Sequence, residues 1–248
     1  MVMEFAKTKR LLDPSSETDY LSIPGGIAVY GGSNSPYNQV IGFGASGTEV
    51  ESLARANAFF WPKLSRFEVE LSPWASSTAP QVLLEKKFRS GKKRSLWSRG
   101  IDGSVEDLRP PTLDAVVPGP LHQPKLWAMH LTQAYDTPGE WDPIDTFLTY
   151  GHMPSVHKYV VLHQGLVGGG AALFLRDQTA LLFGAAVKLN LRGKKLHQTL
   201  IWSRLKEACR LGANLALAET VADPEVEHNL SSMGFIKVAE LPNFSRPS

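Results

Sequence analysis

Cysteine is almost absent. Cys209 stands alone, so no internal disulfide can form and nothing calls for an oxidising compartment. Long apolar runs are missing as well: no stretch approaches the roughly 18 apolar residues of a membrane span. The N-terminal MVMEFAKTKRLLD lacks the apolar centre of a secretion signal. Nor is one charge in excess, since 26 Lys and Arg against 24 Asp and Glu leave a net +2, too little to argue for a nucleic-acid or membrane surface. His152, His157 and His163 have no acidic or thiol companions at ligand spacing, so no metal site is expected. These absences describe a soluble, cytoplasmic protein. The 43% hydrophobic content supports a real core, and 248 residues suit one large domain or two.

Hydrophobic periodicity divides the chain. Residues 1–13 suit a short helix. Ile27–Tyr30 and Gln39–Gly44 read as strands, followed by a helix over Thr48–Phe60 and a cleanly alternating strand over Phe67–Leu71. A helix over about Thr78–Phe88 and a strand over Ser95–Arg99 close this series. From Gly100 to Pro124 the apolar period disappears while Pro110, Pro111, Pro118, Pro120 and Pro124 accumulate, which favours an extended connector. Beyond it, helices are expected over Lys125–Ala134 and Pro143–Tyr150, then strands over Lys158–Leu162, Val167–Leu175 and Thr179–Val187. A long helix follows, then a strand over Asn214–Glu219, a helix over Pro224–Met233 and a strand over Phe235–Ala239. Both halves thus share a β-β-α-β-α-β order, which suggests duplication.

The segment Thr179–Leu211 stands out. An almost uncharged strand leads into a polar turn, Arg192-Gly193-Lys194-Lys195, and then into a helix with Leu196, Leu200, Ile201, Leu205, Ala208 and Cys209 on one face. The first N–H groups of a helix have no intrahelical acceptor and the helix dipole favours negative charge there, so a basic glycine turn at that point suits phosphates. Taken alone, the turn is equally well read as a solvated connector.

With its neighbours the turn says more. Arg192-Gly193-Lys194-Lys195-Leu196-His197, the lead-in Val187-Lys188-Leu189-Asn190-Leu191, and Met233-Gly234-Phe235 before the last strand resemble the GNAT superfamily of acyl-CoA-dependent N-acyltransferases. The first half is similar to the degenerate N-terminal half of bacterial tandem GNAT proteins, through Asn38–Gly44 and Glu70-Leu71-Ser72-Pro73. The resemblance implies an α+β fold of two tandem halves, each a mixed, mostly antiparallel sheet flanked by helices. The expected division is 1–100 as the degenerate half, 101–124 as a Pro-rich linker and 125–248 as the CoA-binding domain. The tandem halves also suit a monomer.

By the same resemblance, the backbone of Ala185, Ala186 and Val187 lies along the pantetheine arm of acetyl-CoA. The amides of Arg192, Gly193, Lys194, Lys195, Leu196, His197 and Gln198 surround the diphosphate, and Asn229 takes the place of a pantetheine-contacting asparagine, for which this chain has Asp223. The side chains of Arg192, Lys194 and Lys195 can add charge-assisted bonds. Three further positions depart from the family pattern: Lys195 replaces a glycine, His197 a small residue, and Leu230 the tyrosine that returns a proton to the CoA thiolate. For a base the chain offers Glu219, Glu227 and His228, each of which also suits a solvated or structural role. Trp127, Tyr135, Trp141 and Tyr150 are available to line an acceptor pocket, or to fill core. The implied reaction is direct transfer of an acetyl group to a primary amine of a small molecule or peptide. The rival reading is a non-catalytic acyl-CoA-binding or regulatory module. A third, nucleic-acid binding through the basic cluster Lys86–Arg94, competes with a solvated helix end.

Overall fold

A computed structural model describes residues 1–33, 35–118, 123–135 and 143–246 of the protein. The elements in order are α1 (Val2–Leu12), β1 (Asp19–Ile23), β2 (Gly26–Tyr30), β3 (Gln39–Phe43), α2 (Glu49–Phe60), β4 (Glu68–Leu71), α3 (Ala79–Glu85), β5 (Arg89–Ser90), β6 (Arg94–Gly100) and β7 (Ala115–Pro118). Then come α4 (Pro124–Tyr135), α5 (Pro143–His152), β8 (Val156–His163), β9 (Leu166–Arg176), β10 (Thr179–Val187), α6 (Leu196–Arg210), β11 (Leu215–Val221), α7 (Pro224–Ser232), β12 (Ile236–Leu241) and β13 (Asn243–Ser245). No helix among them is long and apolar enough to cross a membrane.

The chain packs as two compact units, Met1–Ser95 with Ala239–Ser248, and Leu96–Val238. The first holds a six-stranded sheet in the order β1-β2-β3-β4-β13-β5, the second a seven-stranded sheet in the order β12-β6-β11-β10-β9-β8-β7. Both are mixed. In the first, only β3 and β4 run parallel among the pairs β1–β2, β2–β3, β3–β4, β4–β13 and β13–β5. Its core is aromatic, with Phe60 stacked on Phe67 at 4.3 Å between centroids and Phe88 beyond.

Two expectations about the organisation of the chain are corrected. The strand near residues 95–99 does not close the first sheet; as β6 it lies in the second, while the C-terminal β13 pairs with β4 and β5 of the first. The boundaries at 100 and 125 therefore do not follow the packing. Segment 101–124 is not a bare connector either. Val105 is fully buried in the core of the second unit, and Ala115–Pro118 pairs antiparallel with β8. Its proline is tolerated because β7 is the edge strand, where a missing N–H breaks no ladder on the outer side.

In the second unit β9 is buried along most of its length, with alternate residues facing opposite layers. Ala171 and Leu173 pack with Leu200, Ile201 and Leu205 of α6, while Gly170 meets Leu131 and Trp127 of α4. Trp127 is fully buried and its Nε1–H donates to the Tyr159 carbonyl. Tyr150 packs edge-on against Phe183 at 4.9 Å between centroids. Both aromatics belong to the core rather than to a pocket wall, and Trp141 lies outside the described residues.

Candidate functional site

The site begins with a mismatch in β10. Phe183 faces Ala172 in register, but Ala186 faces Gly170, so β10 carries an extra residue between them. Gly184 there has φ +54°, as a bulge residue in the left-handed region requires. Gly169, opposite Val187, lets β9 approach closely: a Cβ on it would collide with the Ala186 carbonyl. On its other side β10 pairs with β11 in parallel only from Thr179↔Leu215 to Leu182↔Ala218. Past that point the two strands separate. The opening is a cleft of about 370 Å³ lined by Ala185, Ala186 and Val187 on one side and Thr220 and Val221 on the other.

The same strand leads into the turn. Gly193 (φ +77°) and Lys195 (φ 59°) both take the left-handed conformation, so Lys195 keeps the shape that a glycine would have there. Leu196 then opens α6, and no side chain caps it. Among the described residues, no acceptor meets the amides from Gly193 to Gln198. Gly193 and the residues from Lys195 to Gln198 border a second cleft of about 250 Å³, which shares Val187, Arg192, His197, Glu225 and Asn229 with the first.

Side chains close the floor. His197 lines both clefts, and its Nδ1 accepts from Asn229 Nδ2 at 3.1 Å. Burial, helped by the charge of Arg204 and opposed by Asp223, pulls the imidazole pKa down to about 4, so the ring is neutral at ordinary pH. Its proton is therefore on Nε2, available to an acceptor. Gln198 donates to Ser232 Oγ at 3.1 Å, tying α6 to α7. Asp223 caps α7, accepting from the amides of Glu225 and Val226, and Leu230 is core, only 3% exposed.

Charge in the turn is unevenly deployed. Arg192 borders both clefts. Lys194 leans away: its Nζ is 3.4 Å from His163 Nε2, while His163 Nδ1 donates to Asp114 at 2.9 Å. The bond from His163 holds the Asp114 carboxyl below its usual pKa. Glu225 also borders both clefts and opposes a bound anion. Spacing gave no sign of Asp114 or His163, because they meet Lys194 only through the sheet. Of the three base candidates, His228 borders the turn-side cleft, whereas Glu219 and Glu227 line neither. Tyr135, from the end of α4, does line the larger cleft, and burial raises its phenol pKa.

The matching junction of the first unit is closed. There β3 and β4 stay paired past their irregularity, at Phe43↔Leu71, and the amides of Ser72 and Ser76 then bond the carbonyls of Phe43 and Gly44. The following helix, α2, brings its own carboxylates, Glu49 and Glu51, to its first turn, and the buried Glu49 takes a hydrogen bond from Ser76. An anion arriving there meets negative charge.

No family model matches the chain, and no curated protein does. Solved structures do. A GCN5-related N-acetyltransferase from Kribbella flavida superposes with a TM-score of 0.71 at 14% identity, over 100% of this chain and 96% of that one. A tandem GNAT protein from the clavulanic acid biosynthesis pathway gives 0.66 at 13% identity, over 100% and 95%. A GNAT-family protein from Novosphingobium aromaticivorans gives 0.55 at 17%, over 100% and 99%. At these identities the likeness is one of fold. The protein has a GNAT-type α+β fold, built as two GNAT-like halves.

Proposed function

We propose that the protein is an acyl-CoA-dependent N-acyltransferase, working in its second half and moving an acetyl group from acetyl-CoA to a primary amine. One observation carries this reading: β10 parts from β11 next to an uncapped helix start with unpartnered amides. A diphosphate needs several converging N–H donors, which Gly193–Gln198 supply, with Arg192 beside them and Nε2–H of His197 below. A pantetheine arm carries amides of its own and needs an unpaired strand edge, which Ala185–Val187 supply beyond the last β11 pair. The first half, its junction zipped and its helix start acidic, is read as a non-binding partner.

The reaction needs a neutral amine whose lone pair attacks the thioester carbon; the C–S bond then breaks, the sulfur leaves with its electron pair as a thiolate, and the proton shed by the nitrogen passes through water to that thiolate, giving amide and free thiol. A strand-edge amide, that of Val187, is the donor this reading assigns to the developing oxyanion. Attack is direct, since the one cysteine, Cys209, lies in α6 against the core and is no nucleophile for this cleft. The test is release of free thiol from acetyl-CoA across a panel of primary amines. Amine-dependent release supports transfer. Binding of acetyl-CoA without release by any amine would leave the cleft a carrier or sensor site instead.

A further inference from the structure

Arg204 is 2% exposed and forms no ion pair among the described residues. An isolated guanidinium inside a core is costly, and an apolar side chain of the same volume commonly serves stability as well or better. Its hydrogen bonds show what it does there. Nε donates to the Leu200 carbonyl one turn earlier in α6, at 3.0 Å, while one terminal nitrogen reaches the carbonyls of Ala172 at 3.0 Å and Phe183 at 3.3 Å. Ala172 and Phe183 face each other as the last cross-strand pair in register before the β10 bulge. One residue earlier, Leu182↔Ala218 is the last pair before β10 leaves β11. The guanidinium thus bonds two backbone carbonyls at the point where the cleft opens. From the opposite layer the Tyr150 ring presses on Phe183.

We propose that Arg204 is a positioning residue for the cleft, its guanidinium fixing the β10 bulge and so the backbone of Gly184–Val187 that receives the ligand. The identity of that ligand rests on the acyl-CoA reading above; the role at the bulge does not. Burial pulls the pKa of Arg204 down to about 9, which leaves it charged at neutral pH. The same charge, seven residues along the helix from His197, helps to keep that ring neutral.

The test uses the full chain with Arg204→Met and Arg204→Lys, read by hydrogen exchange over Leu182–Val187 and by calorimetric titration with CoA. Arg204→Met should keep the far-UV spectrum and a cooperative thermal transition. Its exchange over Leu182–Val187 should rise by about tenfold or more relative to the rest of the sheet, the scale of losing charge-assisted hydrogen bonds, with a similar fall in CoA affinity. Arg204→Lys should recover part of both. Unchanged exchange at those amides in Arg204→Met overturns the proposal whatever CoA does. If Arg204→Met does not fold, exchange in Arg204→Lys decides in the same way. Raised exchange in a protein whose wild type ignores CoA overturns the ligand reading and supports the role at the bulge.

Discussion

Asn229 Nδ2 donates to Nδ1 of His197 across 3.1 Å, joining the middle of α7 to the first turn of α6. The bond fixes the tautomer of the ring and turns Nε2–H, rather than a lone pair, to whatever else the ring meets. It also has a signature in pH. The native ring resists protonation down to about 4, while an unfolded histidine takes its proton near 6.5. Between those values the unfolded chain binds more protons than the native one, so stability rises with pH through the window and falls as pH drops through it. His197→Gln should remove up to about 3 kcal/mol of that dependence. Urea unfolding of both proteins at pH 7 and pH 4.5 checks it; parallel losses in the two would assign the acid sensitivity to other groups.

Asn229→Leu tests the other partner. It leaves Nδ1 of a neutral, partly buried imidazole without that donor, which should cost about 1 kcal/mol at pH 7. A midpoint in urea unchanged from wild type would show that the bond contributes nothing.

Lys195→Gly should stabilise the protein. Lys195 holds φ 59° and ψ 13°, a conformation that costs a side-chain-bearing residue about 1 kcal/mol relative to glycine. For a chain of this size that corresponds to a rise of about 2–4 °C in Tm. A fall in Tm would mean that the lysine side chain makes a compensating contact.

Gly169→Ala should do the reverse. The added methyl group would meet the Ala186 carbonyl, a backbone atom that cannot swing aside, so β9 and β10 must separate at the bulge. A loss of about 1–3 kcal/mol is expected, measured by denaturant unfolding. A neutral result would show that the bulge is soft rather than held.

How far the sequence led can be seen in particular elements. The bounds of β10, Thr179–Val187, are legible in the sequence, because an uncharged run between two turn signals leaves little choice. Periodicity likewise placed α6, whose buried Leu196, Leu200, Ile201, Leu205 and Ala208 are the residues the helical spacing selects. The exchange of β6 and β13 between sheets was not legible, since alternation marks a strand without naming the neighbours it pairs with. Pro118 misled by suggesting a connector, where an edge strand tolerates it. The two-residue β5 and three-residue β13 carry too few residues to show a period. At the site, spacing gave the turn but not its floor: the His197–Asn229 and Arg204–Phe183 bonds join residues far apart in the chain. Spacing also could not tell that Tyr135 borders the cleft while Trp127 and Tyr150 fill core.

If the turn at Gly193 receives the diphosphate of CoA, calorimetric titration of CoA into the wild type and into Gly193→Asp will show it. Apart from its chain neighbours, no atom lies within 4 Å of where a Cβ on Gly193 would stand, so steric damage is small and strain is confined to its φ of +77°. A carboxylate placed there opposes the phosphates by charge. One CoA should bind per wild-type chain, since the junction in the first half is closed, and binding should be at least tenfold weaker in a Gly193→Asp protein that still unfolds cooperatively. Equal affinity in the two proteins, or no binding to the wild type at millimolar CoA, would contradict that placement.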